Sequence, residues 1–153
     1  TMQITSAMKM VSAAKLKKAT DAITEMRPYS NKLTELIQKL TKTNHELESN
    51  SFSEVREIKK ELLIAITSNR GLCGGFNSNV IKAIYEMTDS KTKVKTSVIS
   101  IGKKGSDLLS KKFNMHSSHD DIFDNLNFES VSKIVDLILN EFNEGKYDSV
   151  KII

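Results

Sequence analysis

Apolar residues follow two regimes along this chain. From Met2 to about Leu47 they recur at alternating steps of three and four. Leu16, Ala19, Ile23, Met26, Leu33, Ile37, Leu40 and Leu47 form the series, with Ser30 and Asn44 as polar interruptions. That spacing predicts an amphipathic helix with a coiled-coil seam. Upstream, Ile4, Met8 and Val11 keep the step size but are offset from the seam, as a stutter or a second contact face would produce. The segment is rich in Ala, Lys, Leu, Met and Glu, all good helix formers. A helix of about 45 residues would be roughly 65–70 Å long, more than a small domain is wide. Pro28 lacks an N–H and crowds the preceding turn, so a bend is expected there rather than a stop. Most helix stability comes from packing the apolar stripe, and no second helix of comparable length is encoded here. The stripe therefore calls for a partner from another chain or from sequence beyond these residues.

After a polar stretch at 43–60 the pattern changes. Glu61 to Thr67 is a short apolar run, as in strands buried on both faces. Ser68 to Phe76 is a Gly-rich loop. Asn77 or Ser78 can cap a helix that turns Val80, Ile81, Ile84, Tyr85 and Met87 inward. Lys95 to Ile101 predicts a second strand ending at Gly102. Residues 103–112 predict a basic helix with Leu108 and Leu109 inward. Phe113 to Ser118 suggests a short edge strand. Asn127 to Phe142 predicts a helix with Val131, Ile134, Val135, Ile138 and Phe142 on its inner face, and Gly145 ends it. Ser149 to Ile153 begins a further strand. Alternation of this kind implies a mainly parallel sheet of Rossmann-like α/β class. The expected organisation is a helical arm and linker over 1–57, then an α/β domain over 58–153 whose sheet continues past the last residue.

Composition narrows the class. Of 153 residues, 39% are apolar and 27% charged; Trp is absent, Pro occurs once and Gly six times. That excludes collagen-like, Pro-rich and linker classes and supports one packed core. Cys73 is the lone cysteine, so a disulfide-stapled module is excluded and a reducing compartment is expected. The longest apolar run, Leu62 to Ile66, is far short of a bilayer span. No apolar h-region marks a signal peptide in residues 1–20. The chain opens on Thr1 and stops inside the apolar run Val150–Ile153, so it reads as part of a longer polypeptide. The net charge is +4, and residues 1–60 hold 11 Lys/Arg against 7 Asp/Glu while 61–153 hold 12 against 12. Lys9, Lys15, Lys17 and Lys18 face no acid within residues 1–20. This end of the chain suits an acidic partner, through attraction that salt weakens.

Three catalytic or binding readings of the α/β part fail on spacing. Arg70-Gly71-Leu72-Cys73-Gly74-Gly75 lacks both the dinucleotide fingerprint and the phosphate-loop lysine. Gly71 to Gly75 matches a cysteine form of the nucleophile elbow, and Asp107 with His116 or His119 follows in triad order. Cys73, however, precedes the expected helix by about four residues, and is better placed as a small, semi-buried packing residue. His116 and His119 have a metal-compatible spacing but no third ligand, and with His45 they read as surface histidines. Nucleic-acid readout is disfavoured because residues 1–26 carry neither Arg nor an aromatic residue.

Two segments together carry a family resemblance. Ile4 to Leu16, followed by Arg27-Pro28-Tyr29, resembles the N-terminal helix of the gamma subunit of F-type rotary ATP synthases. Ser68-Asn-Arg-Gly-Leu-Cys-Gly-Gly-Phe-Asn-Ser-Asn79 resembles the loop after the first strand of that subunit's α/β domain. Asn69 stands where the family usually has Asp. The family's first few residues, the rest of its sheet and its long C-terminal helix have no counterpart here.

The resemblance implies a non-catalytic central-stalk subunit without a cofactor or metal. Its N-terminal helix would wind around the absent C-terminal helix as half of an antiparallel coiled coil. It would turn inside the ring of alpha and beta subunits and couple proton flow to ATP synthesis or hydrolysis. Met8, Lys9, Val11, Lys15, Lys17 and Lys18 would face the acidic levers of the beta subunits. Leu16, Ala19, Ile23, Met26, Leu33, Ile37 and Leu40 would form the coiled-coil seam. The α/β domain would lie near the epsilon subunit and the ring of c subunits, which residues 33–45 would approach. Arg70, Gly71, Cys73, Gly74 and Gly75 would shape the loop rather than bind a ligand. The implied location is peripheral, on the cytoplasmic face of a bacterial plasma membrane or the matrix face of the mitochondrial inner membrane. Neither direct insertion into the bilayer nor binding of nucleic acid is expected.

Overall fold

The computed structural model describes residues 2–43, 52, 56–89 and 93–153, with side chains from residue 2 to 40 in the first of these segments. Leu47, Asn44 and His45 lie outside the described residues. The chain divides into two compact units, Thr1–Ser53 and Glu54–Ile153.

The first unit is one α-helix, α1, over Met2–Thr43, with Pro28 inside it. The helix runs through the proline without a stop. Three threonines return their hydroxyl protons to the carbonyl four residues back: Thr20 to Leu16, Thr24 to Thr20 and Thr34 to Ser30, at 2.9–3.0 Å. Such bonds keep the hydroxyls satisfied within the helix. Glu35 pairs with Lys39 at 2.6 Å and with Lys32 at 2.9 Å. The Lys39 ammonium first, and then that of Lys32, holds its carboxyl below the usual carboxylate range. These are helix-surface pairs, exposed to solvent and individually weak.

The second unit is built from β1 (Lys60–Ile66), α2 (Phe76–Asp89), β2 (Lys95–Ile101), α3 (Lys103–Leu109), β3 (Asn114–His119), α4 (Phe128–Asn143) and β4 (Ser149–Ile152). Every strand pair is parallel, and the order across the sheet is β3-β2-β1-β4. The chain steps outward from β1 to β3 and then returns to the other side of β1. The reversal point lies between β1 and β4.

Alternation along β1 explains its unbroken apolar run. Leu62 and Ile64 pack toward α4 with Ile99, Ile122, Ile134, Ile138 and Tyr147. Leu63 and Ala65 pack toward α2 and α3 with Ile81, Ile84, Val98 and Leu109. Both faces of the sheet are covered, so no position of the strand can be polar without a partner. Each such Leu or Ile contributes about 1.5–3 kcal/mol when removed from water. Glu61 is fully buried at the entrance to β1, and Lys151 of β4 answers its charge at 2.8 Å.

Helix α4 begins with a reciprocal cap. The Asn127 side chain accepts from the Ser130 N–H at 2.9 Å, and the Asn127 N–H donates to the Ser130 hydroxyl at 3.3 Å. This is a capping box with serine in place of the usual Glu or Gln.

Four sequence expectations are corrected here. Val131 and Val135 are exposed; the buried line of α4 is Ile134, Ile138 and Glu141. Apolar residues cover more of this helix than the sheet can bury. On α3, Leu109 is buried but Leu108 is exposed, because adjacent helical residues point about 100° apart. Helix α2 starts at Phe76, so Asn77 lies inside its first turn and serves the preceding loop instead of capping. His116 is not a surface residue: only 16% of its side chain is exposed.

Candidate functional site

On α1, every seam residue is exposed. Leu16, Ile23, Met26, Leu33, Ile37 and Leu40 stand as large apolar side chains in solvent, with Ala19 exposed among them. Met8 and Val11 are exposed as well. Exposed apolar side chains thus line α1 from Leu16 to Leu40. Lys9, Lys15, Lys17 and Lys18 are all exposed, but the continuous helix does not collect them on one face. Lys15 and Lys18 are three apart and share a side, whereas Lys17 is two from Lys15 and points away. The positive charge thus forms a collar around the helix.

The loop between β1 and α2 is organised by Ser68 and Asn77. The Ser68 N–H donates to Asn77 Oδ1 at 3.0 Å, and Asn77 Nδ2 donates to Ser68 Oγ at 2.9 Å and to Cys73 Sγ at 3.2 Å. The Ser68 hydroxyl reaches the Arg70 carbonyl at 2.5 Å. Arg70 therefore shapes the loop through its backbone, and its side chain is exposed. Cys73 is exposed too, which corrects its reading as a semi-buried packing residue. Its sulfur meets Ser68 and Asn77, while His116 and His119 are engaged elsewhere, so no cysteine triad is assembled.

The glycines of this loop have unequal roles. Gly74 has φ +61°, and the neighbouring Leu72 shares that left-handed value. Gly71 and Gly75 have no such requirement, and a Cβ on either meets nothing closer than 3.5 Å. The stringent position is Gly102, at the end of β2. Its φ is +103°, and a Cβ there would stand 2.1 Å from the Thr67 carbonyl oxygen. Backbone approaches backbone at this point. Thr67 closes the junction: it accepts from the Gly105 N–H at 2.8 Å and donates to the Gly102 carbonyl at 3.1 Å. Its location on a buried strand end was the only hint in the sequence.

Asn69 performs two tasks. Its Oδ1 accepts from the Lys103 N–H at 2.9 Å, and its Nδ2 donates to the Asp120 carbonyl at 2.6 Å. The first bond serves the N-terminus of α3, where Gly102 has no side chain to act as a cap. The second ties the loop after β1 to the loop after β3.

Sequence reasoning missed the polar cluster beneath α4. Pairing between β2 and β3 shifts after Val98: Met115 faces Val98, but Ser117 faces Ile99, leaving His116 as the extra residue. A bulge re-aims the side chain it carries. His116 Nε2 lies 2.8 and 2.9 Å from the two oxygens of Glu141, which Lys146 also contacts. Glu141 is buried. Burial raises its carboxyl, and hydrogen bonds from Lys146 and His116 more than offset that, so it lies below the usual range. Among the described residues no three His, Cys, Asp or Glu come together as a metal site, and no helix is long and apolar enough to cross a membrane.

The family model described as ATP synthase matches residues 1–153, the whole chain. The ATP synthase gamma chain of Flavobacterium johnsoniae is 57% identical over 153 residues, and that of Flavobacterium psychrophilum is 53% identical. This chain belongs to the ATP synthase gamma-chain family. It spans about half the length of the curated relatives it matches, 100% of the chain against 54% of each of those two. Among solved structures, a chain of the central stalk and c-ring of the Tetrahymena thermophila mitochondrial ATP synthase superposes with a TM-score of 0.72 at 29% identity. The match covers 98% of this chain and 64% of that one. A rotor chain of the Euglena gracilis mitochondrial enzyme, at 22% identity and a TM-score of 0.58, shares the fold; 90% of this chain and 47% of that one are covered.

Proposed function

We propose that this gamma-family chain is part of the central-stalk rotor of an F-type ATP synthase, and that it transmits torque without a catalytic site of its own. The observation that carries the reading is α1: 42 helical residues whose seam is exposed from Leu16 to Leu40. In the proposed assembly a second helix of the gamma subunit closes that seam as an antiparallel coiled coil. The paired shaft turns within the ring of alpha and beta subunits. Met8, Lys9, Val11, Lys15, Lys17 and Lys18 slide past acidic levers of the beta subunits. Exposed pairs are individually weak, so such contacts exchange partners easily as the shaft turns. A flexible ammonium suits this better than a rigid bidentate guanidinium. Rotation biases the nucleotide sites of the beta subunits in turn, by differential rigid-body contact.

The α/β unit sits lower in this scheme, beside the epsilon subunit and the c ring, at the cytoplasmic face of a bacterial membrane. Proton passage through that ring drives the shaft. The loop residues Arg70, Gly71, Cys73, Gly74 and Gly75 serve the architecture of the domain. The test is a gamma subunit carrying Lys15→Glu, Lys17→Glu and Lys18→Glu together, reconstituted with its complex in vesicles. ATP-driven proton pumping per ATP hydrolysed should fall. Pumping unchanged from that of the parent complex would refute the assigned rotor–stator contact.

A further inference from the structure

Residues 56–60 lead into the sheet just after the boundary between the two units at Ser53 and Glu54. Their backbone is held from several sides. In an extended strand successive N–H groups point to opposite edges. Here the chain bends at Lys59, and the N–H groups of Lys59 and Lys60 converge on one oxygen, Asp148 Oδ2, at 3.0 and 2.8 Å. The carbonyls are engaged as well. That of Lys59 accepts from the Lys95 N–H of β2 at 2.8 Å, and that of Lys60 accepts from the Asp148 N–H at 2.9 Å. Asp148 thus both donates to Lys60 and accepts from it. Hydrogen bonds to an ionised acceptor are roughly twice as strong as neutral ones. The Lys60 N–H first, and then that of Lys59, holds the Asp148 carboxyl below the usual carboxylate range.

Asp148 is itself fixed by the corner that carries it. Helix α4 ends in a Schellman motif. The Lys146 N–H donates to the Glu141 carbonyl at 2.9 Å, the Gly145 N–H donates to the Phe142 carbonyl at 3.1 Å, and Gly145 has φ +72°. Tyr147 then enters the core, 5% exposed. Two further contacts land on the same corner. The Arg56 guanidinium stands over the Phe142 ring, 5.2 Å from its centroid, as a cation–π contact. Glu141 holds His116, the bulged residue of β3. Residues 141–148 therefore join the entry segment to α4, β3 and β4.

From this arrangement we infer that the α4–β4 corner moors the segment by which the helical arm enters the sheet, with Asp148 as a positioning residue for torque transfer. The inference rests on the rotor reading and adds the place where load passes from the arm's chain into the α/β unit. A pull or twist carried along the chain from α1 reaches the sheet through residues 56–60. Without the corner it would fall on the end of β1. With the corner it is divided among β1, β2 and β4, and through Phe142 and Glu141 it is passed to α4 and β3. Bonds loaded together share a force, whereas bonds at a frayed end break one after another.

The test uses the full-length gamma subunit in the assembled ATP synthase. The alpha–beta ring is fixed to a surface, a rod is attached to the c ring, and the angular variance of the rod is recorded with ATP withheld. Asp148→Ala should widen that variance at least about twofold, because it removes both bonds to the carboxylate. Asp148→Asn keeps an oxygen that can accept both N–H groups and should restore the parent variance. ATP hydrolysis without a proton gradient should match the parent in both variants, while pumping against a steep gradient should fall in Asp148→Ala alone. A parent-like variance in Asp148→Ala, or an equally widened one in both variants, overturns the inference. If Asp148→Ala fails to assemble, deuterium uptake in the parent complex decides. The N–H groups of residues 59 and 60 should exchange faster during pumping against a gradient than in the halted motor, and equal rates overturn the inference. A parent gamma subunit that does not turn against the alpha–beta ring refutes the rotor reading itself, so the two failures are told apart.

Discussion

Asn69 and Asp120 are joined across the end of the sheet: the Asn69 amide donates to the Asp120 carbonyl at 2.6 Å while its own oxygen accepts from the Lys103 N–H. An amide can do both, whereas a carboxylate can only accept. An aspartate, which the family resemblance leads one to expect at this position, keeps the acceptor and loses the donor. It would also bring a carboxylate toward a carbonyl oxygen. Asn69→Asp should therefore destabilise the α/β unit by about 1–2 kcal/mol, read as a lower urea midpoint with an unchanged slope. A midpoint equal to that of the parent would show that the Asp120 contact contributes nothing.

Gly102 and Gly71 make a paired test of where glycine is required. Gly102→Ala forces a methyl group into the Thr67 carbonyl, at a φ that L residues rarely adopt. Loss of about 3 kcal/mol or more is expected. Gly71→Ala enters open space and should stay within about 0.5 kcal/mol of the parent. Equal effects on chemical denaturation would contradict the geometry at the β1–α3 junction.

Glu141 sets a pH dependence. Burial opposes its charge, but Lys146 and His116 hold its carboxyl below the range it has in the unfolded chain. Its contribution is thus fully present above the unfolded value of about 4.3 and is lost as pH falls through the lower folded value. Asp148 acts in the same direction, because it accepts the Lys60 N–H at 2.8 Å and the Lys59 N–H at 3.0 Å. Glu141→Gln should lower stability at pH 7 by about 2 kcal/mol and flatten the loss that sets in as pH falls below about 4.3. Urea midpoints measured across that range would decide it. An acid limb as steep as that of the parent would assign the pH dependence to other carboxylates.

Pro28 lies within continuous helix and leaves the Thr24 carbonyl without its intrahelical donor. Pro28→Ala restores that bond and removes the ring from the turn. The gain in helix stability is at most about 3 kcal/mol. Circular dichroism at 222 nm, on the chain without its partners, should show higher helicity and later melting of α1. A lower signal would mean that the proline organises the helix instead of weakening it.

Much of this protein was legible in one dimension because its elements are set by near neighbours. The three-four step from Leu16 to Leu40 marks α1 whatever surrounds it, since helical spacing is a local property. The run Leu62–Ile66 marks a strand covered on both sides. The loop at Ser68–Asn77 lies between strand and helix as expected, and the motifs at Ile4–Leu16 and Ser68–Asn79 carried the family.

What stayed hidden depends on residues distant along the chain. Val131 and Val135 share the periodicity of Ile134 and Ile138, and only the width of the sheet decided which line was buried. His116 became a partner of Glu141 because a one-residue slip against β2 turned it toward α4; nothing within the strand announces that slip. Gly102 is confined by the Thr67 carbonyl, 35 positions earlier, and Asn69 finds its acceptor 51 positions later. Periodicity records what a residue's neighbours require of it; burial and strain record what the opposite layer leaves room for.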